Sequence, residues 1–237
     1  MKTLFASLAF LFLWHGAACA SDELAPVQPA GGEKFNYVLT TRNPATVQYG
    51  VILMPGGNGR MNPRMEGNRI AFAGGGNFLI RSRELFAGSQ FVAASTDATS
   101  TPDRIMAIAQ DLQRRYGKIA IYVVGTSRST EATMSLAKSI DGQVAGFVHS
   151  SSMSGISGFD ARGSKSRNLI VLHRMDACRV TSPASGVASH RKYDTDLIEM
   201  DGGKSTGDDC EAFAHHGYNG IEAETVAKIE DWIRTAK

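Results

Sequence analysis

The chain has 237 residues, 43% of them apolar, with 25 Lys and Arg against 23 Asp and Glu and a formal net charge of +2. That balance offers no basic excess to hold a nucleic-acid backbone and no acidic solvating tail. The apolar fraction and length suffice for one well-filled core rather than a disordered chain.

In chain order, residues 1–20 read as a signal peptide. Lys2 starts a short positive region, "LFASLAFLFLW" is an apolar run, and Ala18-Cys19-Ala20 fits the small-x-small cleavage rule before Ser21. The run is short for a membrane span, and Gly16 stands where a lipoprotein signal would carry leucine ahead of Cys19. The mature chain is expected to be exported, periplasmic or secreted, without stable membrane insertion after cleavage. Loss of Lys2 leaves 24 basic against 23 acidic side chains. "SDELAPVQPAGGEK", 21–34, holds two prolines and two glycines and predicts a flexible leader, with one domain over 35–237.

"FNYVLT" and "QYGVILM" predict strands, the second ending at Pro55-Gly56-Gly57. Residues 56–77 are polar and glycine-rich, with Met61 and Met65 as exposed apolar members, and suit the rim of a pocket. "NFLIRSRELFA" has helical spacing, and "FVAAST" is a buried strand. "TPDRIMAIAQDLQRRYG" predicts a helix with Thr101 as cap, Pro102 in the first turn and Gly117 as its stop. The strand "IAIYVV", the helix "TEATMSLAKSI", the strands "VAGFVHS" and "NLIVLH", a helix near 182–191, the strand "DLIEM" and the helix "AETVAKIEDWIRTA" complete the order. Continuous apolar strands separated by helices predict an α/β three-layer sandwich, α/β/α, around a mostly parallel sheet.

In such a sheet, ligands collect where strands end and helices begin. "IAIYVVGTSRSTEATMSLA" passes from strand to helix through Gly125-Thr126-Ser127-Arg128-Ser129 with no loop between. A turn that sharp exposes the Ser127 hydroxyl above the sheet and aims the Arg128 amide at any oxyanion formed there. A serine needs a base to take its proton and an acid to orient that base. "NLIVLHRMDAC" ends a strand at Asp176, and "FAHHGYNGIE" presents His215 and His216 before the last helix.

These residues resemble the α/β-hydrolase superfamily, whose elbow reads G-x-S-x-G and whose triad runs in the order Ser, acid, His. Here the second elbow glycine is replaced by Ser129. The resemblance covers roughly 35–237 and implies Ser127 as nucleophile, Asp176 as acid and His216, followed by Gly217, as base. It places a second oxyanion amide on "MPGGNGR", at Gly57 or Asn58, with Pro55 where relatives often carry histidine. It implies a small, lidless serine hydrolase of carboxylic esters acting on a small-molecule substrate, with no cofactor.

Cys178 and Cys210 are the two cysteines left after signal removal. An even pair in an exported chain favours a disulfide, which would tie the acid loop to the histidine loop. Neither belongs to a C-x-x-C pair, so no metal site is expected. His173 reads as a packed residue, and His149 and His190 as weaker candidates still. Asp97 or Asp103 could touch substrate or cap the following helix, and capping is the stronger reading. "GGKST" lacks the Walker glycine, since Ile198 stands in its place, and "AGGGNF" lacks dinucleotide spacing. A peptidase or amidase with the same triad, and a catalytically silent binding protein of the same fold, remain as alternatives.

Overall fold

The computed structural model describes residues 19–235, so the expected signal peptide, 1–20, lies almost wholly outside the described residues. The elements run β1 (Ser21–Val27), β2 (Phe35–Thr41), β3 (Tyr49–Met54), β4 (Arg64–Glu66), β5 (Arg69–Ala71), α1 (Phe78–Arg81), α2 (Arg83–Phe86), β6 (Phe91–Ser95), α3 (Pro102–Tyr116), β7 (Ala120–Thr126), α4 (Ser129–Ser139), β8 (Gly146–Ser150), β9 (Arg167–His173), α5 (Pro183–Tyr193), β10 (Asp196–Met200) and α6 (Glu222–Arg234). Eight strands form one sheet in the order β1-β2-β6-β3-β7-β8-β9-β10, while β4 and β5 make a separate hairpin. From β6 to β10 all neighbours are parallel; β1 and β2 add an antiparallel edge.

Successive side chains on a strand point to opposite faces, so each apolar run feeds two cores. Ile52 and Met54 of β3, with Ile121 and Val123 of β7, pack against Ile105, Ile108 and Leu112 of α3 and Leu136 of α4. Val51, Leu53, Tyr122 and Val124, the alternate residues, pack against Phe78 and Leu79 of α1, Phe86 of α2 and Val226, Ile229 and Ile233 of α6. Helices therefore cover both faces, which is the expected three-layer sandwich.

Three expectations are corrected. Residues 21–34 are not a flexible leader throughout: Ser21–Val27 pair with Thr41–Phe35 as the edge strand. Ala25 and Val27 alternate into the core, and Pro26, which lacks an N–H, is tolerated because the strand has a neighbour on one side only. Arg83 clamps Asp22 at 2.7 Å and Arg115 clamps Glu23 at 2.9 Å. The helix expected over "NFLIRSRELFA" divides into α1 and α2 at Ser82, whose ψ of 3° interrupts the ladder. Met61 is fully buried with Val38, Ile80, Ile70 and Phe72, so only Met65 of that segment's two methionines is exposed. Among the described residues, no helix is long and apolar enough to cross a membrane.

Candidate active site

The carboxyl ends of β3, β7, β8 and β9 lie side by side on one edge of the sheet, and each contributes to a single cavity. Ser127 leaves β7 with φ 55°, in the left-handed region that non-glycine residues seldom occupy. Its amide donates to the Ser150 carbonyl at 3.0 Å, and its carbonyl accepts from the Thr130 amide at 2.9 Å. With its backbone fixed on both sides, the serine is held in the unfavourable conformation. Two glycines clear the space. A Cβ on Gly125 would stand 2.8 Å from the Ser129 carbonyl, and one on Gly56 2.8 Å from both the Ser127 Cβ and the Thr126 carbonyl.

The departure from the glycine pattern at Ser129 has a structural use. Its hydroxyl accepts from the Thr126 amide at 2.8 Å and lies 2.8 Å from the Met54 carbonyl, an acceptor at the end of the neighbouring strand. The hydroxyl thus ties the turn after β7 to β3.

Asp176 follows β9 and is buried. Its Oδ2 lies 2.9 Å from His216 Nδ1, and its Oδ1 accepts from the Cys178 amide at 2.9 Å. The Thr181 hydroxyl reaches Asp176 Oδ2 and His216 Nδ1, each at 3.1 Å. With Nδ1 committed to the carboxylate, Nε2 is the imidazole nitrogen left for other chemistry. Ser127 and His216 line the same cavity of about 570 Å³, though no direct hydrogen bond joins the serine hydroxyl to the ring among the described residues.

Gly57, Asn58 and Arg128 line that cavity too. Among the turn and loop bonds of the described residues, the amides of these three are unused. Gly57 takes φ 65° in open space. A glycine there adopts this φ at little cost and puts no side chain between its backbone and the cavity.

The remaining sequence candidates lie elsewhere. His215 stacks on His173, ring centroids 4.7 Å apart and planes at 11°. His173 accepts the Met175 amide on Nδ1 at 3.1 Å, so Nε2 donates to the Gly202 carbonyl at 3.0 Å. Burial pushes this ring below the usual imidazole range, and neighbouring His215 adds to the shift while the Gly202 bond opposes it. His149 is fully buried between Thr133 and Asn168, and His190 bonds the Thr195 carbonyl at 2.8 Å. Asp97 neither caps the next helix nor reaches the cavity; it accepts from the amides of Met61 and Asn62 and anchors the rim segment.

The disulfide Cys178–Cys210 is formed. Asp176, Cys178 and His216 bring three metal-ligating residue types within 4.8 Å of one another. The Cys178 sulfur is spent in the disulfide, so it offers no thiolate, and the carboxylate and imidazole are already bonded to each other. The donor set does not suit a metal.

Sequence reading missed four supporting residues. Thr181 bridges acid and imidazole, but a threonine five positions after an aspartate has no distinguishing pattern. Arg81 donates to the carbonyl of Gly217 at 2.6 Å and to Glu222 at 2.9 Å, across most of the chain. Ser151 Oγ donates to the His216 carbonyl, and the Tyr218 hydroxyl in turn accepts from the Ser151 amide.

No protein-family model matches the sequence, and no curated protein matches it. Solved structures do match. The esterase domain of a Rhodothermus marinus protein is 10% identical, over 90% of this chain and 98% of that one, with a TM-score of 0.60. Est1E from Butyrivibrio proteoclasticus is 13% identical over 89% and 98%, with a TM-score of 0.60. A lidless α/β serine hydrolase from Xanthomonas campestris is 9% identical over 88% and 94%, with a TM-score of 0.56. At such identities the likeness is one of architecture, and in architecture this chain has the α/β-hydrolase fold.

Proposed function

We propose that this chain is an exported serine hydrolase that cleaves carboxylic esters of small molecules. The observation that carries the reading is the buried Asp176–His216 pair, 2.9 Å apart, opening on the cavity that the strained Ser127 turn also lines. The reaction class named for the structures of like fold, esterase and serine hydrolase, agrees with it.

In this reading Ser127 Oγ attacks the ester carbonyl while His216 Nε2 takes its proton. Asp176 holds the ring by Nδ1 and stabilises the imidazolium. The amides of Arg128 and of Gly57 or Asn58 receive the tetrahedral oxyanion. Collapse breaks the ester C–O bond, and the leaving alkoxide takes the proton from Nε2. Water, deprotonated by the same ring, then releases the acid from Ser127. Export rests on the leader sequence, 1–20, and on the Cys178–Cys210 disulfide, a bond favoured in oxidising compartments.

A fluorophosphonate probe tests the reading. Folded wild type is expected to be labelled on Ser127, with labelling abolished in Ser127→Ala and His216→Ala and retained in His215→Ala. Unlabelled, correctly folded wild type would leave a silent binding protein. Matched ester and amide substrates then decide between esterase and peptidase.

A further inference from the structure

Large apolar side chains left exposed are few among the described residues: Met65, Leu85, Met175, Val180 and Phe213. Val180 and Phe213 both line the candidate cavity, and Met175 adjoins Asp176. Phe213, 50% exposed, and Val180 thus set apolar surface on the cavity wall, where a bound ligand can cover it.

Phe213 is also fixed with unusual thoroughness for an exposed residue. Its carbonyl accepts from the Thr206 amide at 2.9 Å, the Thr206 hydroxyl at 3.1 Å and Asn219 Nδ2 at 2.7 Å. The Arg81 guanidinium stands 5.2 Å from the ring centroid, and Gly76 faces the ring with no side chain between. Arg81 is itself held by Glu222 and the carbonyls of Gly76 and Gly217. Val180 is pinned in the same manner, its carbonyl accepting from the Ser154 amide at 2.9 Å and the Ser154 hydroxyl at 3.0 Å. A side chain carried on a backbone fixed before binding, with Arg81 and Gly76 against its ring, loses little entropy when a ligand packs on it.

We propose that Phe213 and Val180 form the subsite for the leaving alcohol, and that the preferred substrates are esters of aromatic or bulky apolar alcohols. The assignment rests on the hydrolase reading above and follows from where the proton must go. Nδ1 of His216 faces Asp176, so the leaving oxygen takes its proton from Nε2 and departs past the imidazole. The two segments flanking that imidazole are the ones carrying Val180, next to Thr181, and Phe213, three residues before His216; Cys178–Cys210 joins them. The candidate oxyanion amides come from other elements, the loop after β3 and the start of α4.

The test compares kcat/KM for methyl acetate, benzyl acetate and methyl phenylacetate in wild type, Phe213→Ala and Phe213→Leu. Methanol and benzyl alcohol have closely similar basicity, so the benzyl-to-methyl ratio reads binding of the alcohol rather than its reactivity. Losing an aromatic platform is expected to lower that ratio about tenfold in Phe213→Ala, with Phe213→Leu between. Methyl acetate and methyl phenylacetate should stay within about twofold of wild type, showing that His216 is undisturbed. An unchanged benzyl-to-methyl ratio overturns the subsite, and a loss falling on methyl phenylacetate assigns the ring to the acyl group instead. Wild type inert toward all three esters overturns the hydrolase reading and the subsite with it.

Discussion

Ser151 Oγ donates to the main-chain carbonyl of His216 at 2.7 Å, while the Ser151 amide donates to the Tyr218 hydroxyl at 3.0 Å. Tyr218 donates onward to the Val171 carbonyl at 2.9 Å. The residue just past the end of β8 thus grips the histidine segment from both sides, and it does so at φ 40°. The Ser151 amide also donates to the Val171 carbonyl at 2.9 Å, so three hydrogen bonds of Ser151 itself oppose the strain.

Removing that hydroxyl strands a buried carbonyl. Ser151→Ala is expected to cost about 1–3 kcal/mol of stability. It should also lower kcat several-fold with KM little changed, because the imidazole, not the cavity wall, loses its support. Denaturant melts and steady-state kinetics on a short-chain ester check both. A fall in stability with kcat intact would make the contact purely structural.

Gly56 and Gly57 are adjacent and should answer to alanine in different ways. At Gly56 the new Cβ would meet the Ser127 Cβ and the Thr126 carbonyl at 2.8 Å, so the turn itself must move. Displacing the proposed nucleophile is expected to lower kcat, by about a hundredfold where the shift approaches about 1 Å. At Gly57 the Cβ meets open space but inherits φ 65°, which is expected to cost about 1–2 kcal/mol of stability with a smaller effect on rate. Paired kinetics and melts of Gly56→Ala and Gly57→Ala would show whether the rate loss follows the collision.

The parallel strands were legible mostly as apolar runs between helical segments, two of them ending at Gly or Pro, as in "YGVILMPGG" and "IYVVGTS". The pairing of Asp176 with His216 was legible through the chain order that the α/β-hydrolase resemblance implies: the two residues fall on the loops after β9 and before α6, and the fold brings those loops within hydrogen-bond distance. What stayed hidden depended on contacts with no sequence period. The edge strand at 21–27 shows only two inward residues, Ala25 and Val27, around a proline that normally argues against a strand. Thr181, Ser151 and Arg81 act across long separations, and a lone hydroxyl or guanidinium in a loop carries no mark of its distant partner. Met61 looked exposed because its cover includes Ile70, on a hairpin of two three-residue strands too short to announce itself, and Phe72 just after it.

The disulfide joins positions 32 apart and spans from the residue two past Asp176 to the residue six before His216. Closing a loop of that length is worth about 3–4 kcal/mol through the unfolded chain. Cys178→Ser with Cys210→Ser is expected to lose that much in denaturant melts. The rate of fluorophosphonate labelling should fall by a larger factor than a distant destabilising substitution of equal size produces, since the same bond holds the acid loop against the histidine loop. Equal labelling rates would confine the disulfide to stability.

The dependence of stability on pH should carry two opposed contributions. Burial holds His149 down to about 4, with the Asn168 bond opposing; Asn168 Oδ1 accepts from Nε2 at 3.2 Å, so the ring sits neutral with Thr133 on Nδ1. The unfolded chain takes up this proton near 6.5 and the native state does not, so stability is whole above that pH. It is lost as pH falls toward 4, by about 3 kcal/mol in all. Glu230 runs the other way: burial raises it to about 7 against the Arg234 ion pair, so its contribution is present below its unfolded value near 4.5 and fades as pH rises through 7. Between about 4.5 and 6.5 the two slopes oppose each other in the wild type. His149→Gln should uncover the Glu230 slope, with stability rising as the solution is acidified through that window. Glu230→Gln should uncover the His149 slope and make acid loss steeper. Urea midpoints across the pH range read both, and parallel curves for the three proteins would show that neither group titrates with folding.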